Sequence, residues 1–491
     1  MPSQIEAIRK IKLQKVQALR KSGVEPYPEI HDVPVSLDVV KKQFDELTMS
    51  QKKYYIAGRV MARREHGGAV FVDINDGSET LQLHVKQDVV QEQLFVFFLH
   101  YVDIGDIIES YGSFFITRRG EQTQEVHRFR ILAKALLPLP EKWHGLSDTE
   151  ERFRKRYLDL LMNEKVREVF YMRSAIIRTM RTFLEKEGFL EVETPILQTI
   201  SGGAIARPFK TKMHALHMDL YLRISPELYL KRLIVGGFQK VYEIGRSFRN
   251  EGMDATHNPE FTEMECYVAY ENEKHMMARV ERFMHYTIDT LYPHLHGELT
   301  YQGHTIHILK TFRVAHFNDL LQTATGMDYD TVTLAQMQRK AKEYKVEIPK
   351  GGGKGKIADA LYKVLVRPSL IQPTFLIDHP LELSPLAKQK MDQVSCASRF
   401  QLIIGGTEMM NGYAELNDPT EQSKRFKAQS ILAKKGDAEA PLPDEEFVEA
   451  LAYGLPPTAG LGIGIERFIM FFTDMHSIRE VMLFPTMKSK K

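Results

Sequence analysis

The chain reads as an α+β protein: an N-terminal five-stranded β-barrel, then a larger domain built on a largely antiparallel sheet flanked by helices. Two observations predict this. Residues 54–133 hold five short runs rich in β-branched and aromatic residues, separated by turn residues. Beyond residue 188, strand-like and helix-like stretches mix without a regular strand–helix–strand beat, which argues against a doubly wound parallel sheet. With 491 residues, 43% hydrophobic and 26% charged, the chain has the composition of a soluble globular protein and room for two or three cores.

Residues 1–50 are read as a basic helical segment. Ile5, Ile8, Ile11, Val16 and Leu19 recur at helical spacing over 5–22, and Pro26 and Pro28 close the run. The barrel is expected over 51–137. Its strands are YYIAGRV, AVFVDIND, TLQLHV, DIIESYGSFFIT and EVHRFRIL, with turns at Gly67-Gly68, Asp76-Gly77 and Arg119-Gly120. A helical crossing near 88–101 falls between the third and fourth strands. Three strands, a helix and two strands are the order of an OB-fold. A linker at 138–156 carries Pro138, Pro140 and Gly145. The stretch from Asp148 to Gly188 reads as helices. The remaining domain spans 157–491, with a Lys-rich helical insertion at about 315–370.

The net charge of +2 is close to neutral, but basic residues cluster at Lys10–Lys21, Arg63–Arg64 and Arg118–Arg119. Such clusters are either solvated faces or local patches for a polyanion. No apolar run reaches the ~18 residues of a membrane span, and the N-terminus lacks the apolar core of a secretory signal. Cys266 and Cys396 form no disulfide framework and have no metal-ligand spacing, so a cytoplasmic setting is expected. KGGGKGK (350–356) fails as a phosphate loop: Ile357 stands where Ser or Thr would hold magnesium, and a flexible surface loop is expected. His214 and His217 share an H-x-x-H spacing but have no evident third ligand, so they are read as ordinary strand–turn residues.

Two stretches carry chemistry. FRNEGMDATHNPEF (248–261) gathers Arg249, Glu251, His257 and Phe261, and GLGIGIERF (460–468) places Arg467 after a glycine-dense turn. Guanidinium forks grip phosphate oxygens, and a ring with a flat guanidinium can sandwich a purine. Together they suit a bent nucleoside triphosphate.

GFLEVETPIL (188–197) and these two stretches resemble motifs 1, 2 and 3 of class II aminoacyl-tRNA synthetases. RISPELYLKRL, HNPEFTEMECYVAY, DHPLELSPLAK, NGYAELNDP and YGLPPTAGLGIGIER are closer still to the lysyl-tRNA synthetases, and the barrel resembles their anticodon-binding domain. The resemblance covers nearly the whole chain and is weakest between 300 and 370. It implies ATP-dependent activation of L-lysine and transfer to tRNA(Lys), with Mg2+ beside the ATP. Arg249 would bridge the α-phosphate and the lysine carboxylate, and Arg249 and Arg467 would be the catalytic pair. Glu251 would read adenine, His257 and Asn258 would serve the ATP site, and Phe261 and Arg467 would stack on adenine.

The lysine substrate carries two ammonium groups and one carboxylate, so its pocket needs acids. The resemblance assigns Glu227 and Glu265, with the backbone at Gly203, to the α-amino end. Glu415 and Tyr267 take the ε-ammonium, Asn411 assists at the carboxylate, and Tyr413 lines the aliphatic stem. A buried carboxylate opposite an ammonium discriminates strongly. For magnesium, Glu408 matches one family carboxylate. The other position is Gln401, where the family usually has Glu; its amide carbonyl is expected to be a weaker ligand. Glu466 stands where relatives usually have Asp. In the barrel, Phe71 and Gln82 match positions that stack on and hydrogen-bond the central anticodon uridine, with Arg64 nearby. Phe71 also fits barrel core, since V-F-V alternates. Glu193, Thr194 and Pro195 of motif 1 read as a homodimer interface. Glu415 and Tyr267 argue against an aspartyl or asparaginyl synthetase. The barrel argues against a lysyltransferase that lacks one, and Arg249, Glu251, Glu408 and Arg467 against a catalytically silent paralogue.

Overall fold

A computed structural model describes residues 4–30, 32–140, 148–204, 206–348, 353–434 and 443–489. The chain divides into two compact units, 1–163 and 164–491.

The first unit is organised around a closed barrel. Its strands are β1 (Tyr54–His66), β2 (Ala69–Asn75), β3 (Thr80–Lys86), β4 (Ile107–Ile116) and β5 (Gln122–Ala133), in the order β1-β2-β3-β5-β4. Only β3–β5 pair in parallel. Strict alternation along β2 and β3 sends Val70, Val72, Ile74, Leu81, Leu83 and Val85 inward. The β2–β3 turn is held by Asn75 and Asp76. Their side chains accept from the backbone N–H of Gly77 (2.8 Å) and Ser78 (2.9 Å), and Gly77 adopts φ 96°, which a side chain would resist. Helices Gln87–Val90 and Glu92–Tyr101 form the expected crossing, and the latter buries Phe95 and Phe98.

The N-terminal helix runs Gln4–Lys21 and buries Val16 and Leu19. Two of its lysines turn toward its own unit. Lys15 pairs with Asp103 at 2.7 Å, and Lys12 donates to the Ile104 carbonyl at 3.2 Å. Those two are therefore engaged within the fold.

The second unit carries an eight-stranded sheet. Its strands are β6 (Leu190–Glu191), β7 (Lys240–Phe248), β8 (Glu260–Ala269), β9 (Arg313–His316), β10 (Thr374–Ile377), β11 (Arg399–Ile404), β12 (Thr407–Ala414) and β13 (Thr458–Gly464). The order is β9-β10-β11-β12-β13-β8-β7-β6. Pairing is antiparallel except at the two edges, β9–β10 and β7–β6. Helices Glu164–Lys186, Glu273–Leu291 and Ile465–Thr473 share the main core with this sheet, through residues such as Met180, Phe283 and Phe468.

Helices Phe317–Thr325, Leu334–Glu343 and Lys354–Leu365 form the insertion and enclose a core of their own. Residues 350–352 of the KGGGKGK stretch lie outside the described residues. The rest is not the loop expected: Lys354-Gly355-Lys356 opens a helix. Gly355 is buried there, and a Cβ on it would meet the Glu382 side chain at 2.6 Å. Tertiary packing overrides the loop propensity of the glycines. His214 and His217 sit in the tight turn between strands Lys210–Met213 and Met218–Leu222.

Candidate active site

The period of two along β8 builds the site. Met264, Cys266 and Val268 face the helical core, while Glu263, Glu265 and Tyr267 face the other way and line a cavity of about 370 Å3. That is the size of a small-ligand site. On β13, Gly460, Gly462 and Gly464 alternate with the cored Leu461 and Ile463, so the cavity floor between them is bare backbone. The register sets Gly460 opposite both Tyr267 and Tyr413, and Gly462 opposite Glu265 and Asn411. Every residue assigned above to ATP or lysine lines this one cavity. Gln401 does not.

At one end of the cavity, the Arg249 guanidinium lies over the Phe261 ring at 4.9 Å and approaches Glu263 at 3.9 Å. The Arg249 N–H donates to the Pro259 carbonyl at 2.8 Å, which ties off the loop between β7 and β8. Asn258 donates to the Glu260 carbonyl at 2.7 Å. Arg467 Nη2 donates to His257 Nε2 at 2.9 Å, so Nδ1 carries the imidazole proton and donates to Asp254 at 2.8 Å. Burial works to raise the Asp254 carboxyl, but hydrogen bonds from Thr256 and His257 hold it down, at about 2. Glu466 is buried and accepts from the Thr262 N–H (2.9 Å) and from Arg173 (3.0 Å). The longer side chain thus ties the helix Ile465–Thr473 to β8 and to the helix Glu164–Lys186.

The opposite end is acidic. Glu265 accepts from Ser225 at 2.7 Å and from the Tyr267 hydroxyl at 2.9 Å. Burial, with Glu263 and Glu227 nearby, pushes its carboxyl well above the usual range. Glu227 accepts from the Tyr413 hydroxyl and from Lys231, each at 2.6 Å. Glu415 is ion-paired to the same Lys231. Burial drives Glu415 upward against the pull of that ammonium. Gly203 sits at φ 88°, and a Cβ there would meet Ser225 Oγ at 3.0 Å and Glu227 Cβ at 3.1 Å. Asn411 accepts from Arg399 Nε at 2.8 Å.

The structure adds partners to three of these residues. The Tyr267 hydroxyl donates to Glu265, since both sit on β8 and face the same side. The partner of Glu415 is Lys231, a residue the sequence reading passed over. Gln401 lies on β11 and donates its Nε2–H to Glu408 at 2.7 Å, while its Oε1 faces His379 Nε2 at 3.0 Å. A carboxylate can only accept, so the amide must present its N–H to Glu408. Its carbonyl therefore faces His379 and not Glu408. The donor set thus fits a magnesium ion through the single carboxylate Glu408, since Mg2+ takes one or two carboxylates and completes its shell with water and substrate phosphates. Burial and the neighbouring Arg399 lower His379 to about 3.

On the barrel, the register places Phe71 opposite Arg64 and His84, and Gln82 opposite Asp73. Phe71 is half-buried between fully buried Val70 and Val72, so it stands on the outer face and not in the barrel core. His84, missed in the sequence, stacks on Phe71 with centroids 4.5 Å apart. Arg64 forks onto Asp73 at 3.0 and 2.9 Å, and Gln82 accepts from Thr123 at 3.1 Å.

Residues 148–488 match the profile of tRNA synthetases class II (D, K and N), and residues 54–134 match that of the OB-fold nucleic acid binding domain. The chain is 46% identical over 488 residues to a lysine–tRNA ligase of Carboxydothermus hydrogenoformans, covering 99% of each chain. It is 46% identical over 491 residues to one of Roseiflexus sp. (strain RS-1), covering 99% of this chain and 100% of that one. It is 43% identical over 488 residues to one of Listeria welshimeri, covering 98% and 97%. With synthetase and OB-fold profiles in this order and relatives matched end to end, the chain belongs to the lysine–tRNA ligase family of class II tRNA synthetases.

Proposed function

We propose that the chain activates L-lysine with ATP and transfers it to the 3′ end of tRNA(Lys). The observation that carries this is one cavity with Glu227, Glu265 and Glu415 at one end and Arg249 and Arg467 at the other. A lysine carboxylate oxygen attacks the α-phosphorus of ATP, and the bond to pyrophosphate breaks. A ribose hydroxyl of the tRNA then attacks the lysyl carbonyl, and AMP leaves. Both first-step reactants are anionic, so neutralisation and alignment are the main requirements. Arg249 bridges carboxylate and α-phosphate. Arg467 and Phe261 hold adenine, whose amino group Glu251 reads, and His257 and Asn258 serve the phosphate side. Mg2+ on Glu408 would withdraw charge from the phosphates.

The α-ammonium meets Glu227, Glu265 and the Gly203 backbone, and the ε-ammonium meets Glu415 and Tyr267. Asn411 assists at the substrate carboxylate, and Tyr413 lines the stem. The domain at 51–137 reads the anticodon through Arg64, Phe71 and Gln82. Motif 1 forms a homodimer contact around Glu193, Thr194 and Pro195, where Leu190, Ile196 and Leu197 are exposed apolar residues of the described unit. The setting is cytoplasmic; among the described residues no helix is long and apolar enough to cross a membrane. Pyrophosphate exchange measured with each amino acid in turn tests the reading. Lysine alone should stimulate exchange, and stimulation by aspartate or asparagine instead would overturn it.

A further inference from the structure

We propose that Lys231 is a specificity-determining positioning residue. Its ammonium, held behind the cavity wall between Glu227 and Glu415, partners one of the three carboxyl groups of Glu227, Glu265 and Glu415 and leaves two, the number of ammonium groups that a lysine substrate carries. The inference rests on the lysine reading above.

Lys231 is fully buried, at 0% exposure, and does not line the cavity. Glu227 lies one helical turn before it on the helix Glu227–Val235, and Glu415 follows β12. The Tyr413 ring, at 5.5 Å, and the Phe447 ring, at 5.9 Å, close in on the ammonium. Arg232, the next residue along, turns outward to Asp444 at 2.9 Å and does not share the work. Tyr267 and Glu265 of β8 lie beyond.

Three carboxylates this close and this buried cannot all ionise without a cation. Although burial disfavours its charge, Lys231 is held above its ordinary pKa by Glu227 and Glu415. It therefore keeps its proton at neutral pH. With it in place, two carboxyl groups of Glu227, Glu265 and Glu415 have no cation of the protein's own, and burial favours their protonated form until an ammonium arrives. Lys231 engages Glu415 through Oε2, while Oε1 is buried and has no donor among the described residues, yet Glu415 lines the cavity. That open oxygen is the seat for a second ammonium. A neutral side chain would leave it unpaired, which is the strong form of discrimination.

The test uses the full-length variants Lys231→Met and Lys231→Arg. Lysine and ATP affinities are measured separately, and proton release on lysine binding is read by calorimetry in buffers of different ionisation heat. Lys231→Met should keep its ATP affinity and lose about 100-fold in lysine affinity, as expected when a buried carboxylate loses its partner. Its proton release per lysine bound should match the parent's, since the third carboxyl keeps a proton in place of the missing ammonium whether or not lysine is bound. Lys231→Arg keeps the charge and should stay within about tenfold of the parent. Lys231→Met binding lysine as tightly as the parent, or losing ATP and lysine alike, would overturn the proposal. If Lys231→Met does not fold, a folded Lys231→Arg with intact ATP binding but lysine affinity lost beyond tenfold does the same. Lysine-independent exchange by the parent would instead fell the lysine reading itself.

Discussion

Restoring a carboxylate at position 401 tests how the chain has adapted beside Glu408. In the parent, Gln401 Nε2 donates to Glu408 Oε2 at 2.7 Å. In Gln401→Glu that donor becomes an acceptor at the same spacing. The lost charge-assisted hydrogen bond is worth about 1.5–3 kcal/mol. Two carboxylates this close share one proton in place of both ionising, which limits the added repulsion. A net cost of about 2–4 kcal/mol follows without a cation, or a fall of roughly 5–10 °C in melting temperature. One carboxyl of the pair is then raised above its unfolded value. Its stabilising contribution is present at low pH and is lost as pH rises through the folded pKa. The deficit should therefore be larger near pH 8 than near pH 6. Millimolar Mg2+ should recover most of it, because two carboxylates can then share the ion. The assay is thermal melting in EDTA and in MgCl2 at both pH values, for parent and variant. Equal melting in EDTA, or a deficit that Mg2+ leaves untouched, would refute the account of how the amide is oriented.

Gly460→Ala should raise the lysine KM about 5- to 150-fold while changing the ATP KM little. Its Cβ would run into Glu415 Oε1 and lie 2.6 Å from Tyr267 Cε1 and 2.9 Å from Cδ1, an overpacking cost of about 1–3 kcal/mol. Steady-state exchange with each substrate varied checks this. Phe71→Ala should weaken tRNA(Lys) binding by about 1–3 kcal/mol, with lysine activation in the absence of tRNA unaltered. Filter binding alongside pyrophosphate exchange separates the two effects.

The barrel was legible because each strand carries its own period of two and each turn its own glycine. That Arg249, His257 and Phe261 would share one cavity was legible because they fall within one hairpin, β7–β8, so a short run of sequence holds them together. What escaped depends on partners far apart in the chain. Lys231 reads as an ordinary helical lysine until Glu415 folds over it; the only local signal was Glu227 four positions earlier. The direction of the Gln401 amide is settled by His379 on one side and Glu408 on the other, and neither is evident from ASRFQLIIGG. His84 was missed because alternation along β3 gives its face but not its cross-strand neighbour Phe71. Two basic residues of the N-terminal helix point inward for a similar reason: Asp103 and the Ile104 carbonyl await them on a later loop.

In the helix Ile465–Thr473 every residue except Arg467 and Thr473 is buried. That leaves a single outward direction early in the first turn, directly after the bare strand β13. A chain one residue shorter between Gly464 and Arg467 would rotate the helix by about 100°. The guanidinium would then swing toward the hydrophobic interior while a phenylalanine took its outlook. On the function proposed above, the packing of a greasy helix acts as a ruler for the nucleotide grip, so that mutations in residues that never touch ATP would disturb its capture by shifting the angle of one arginine.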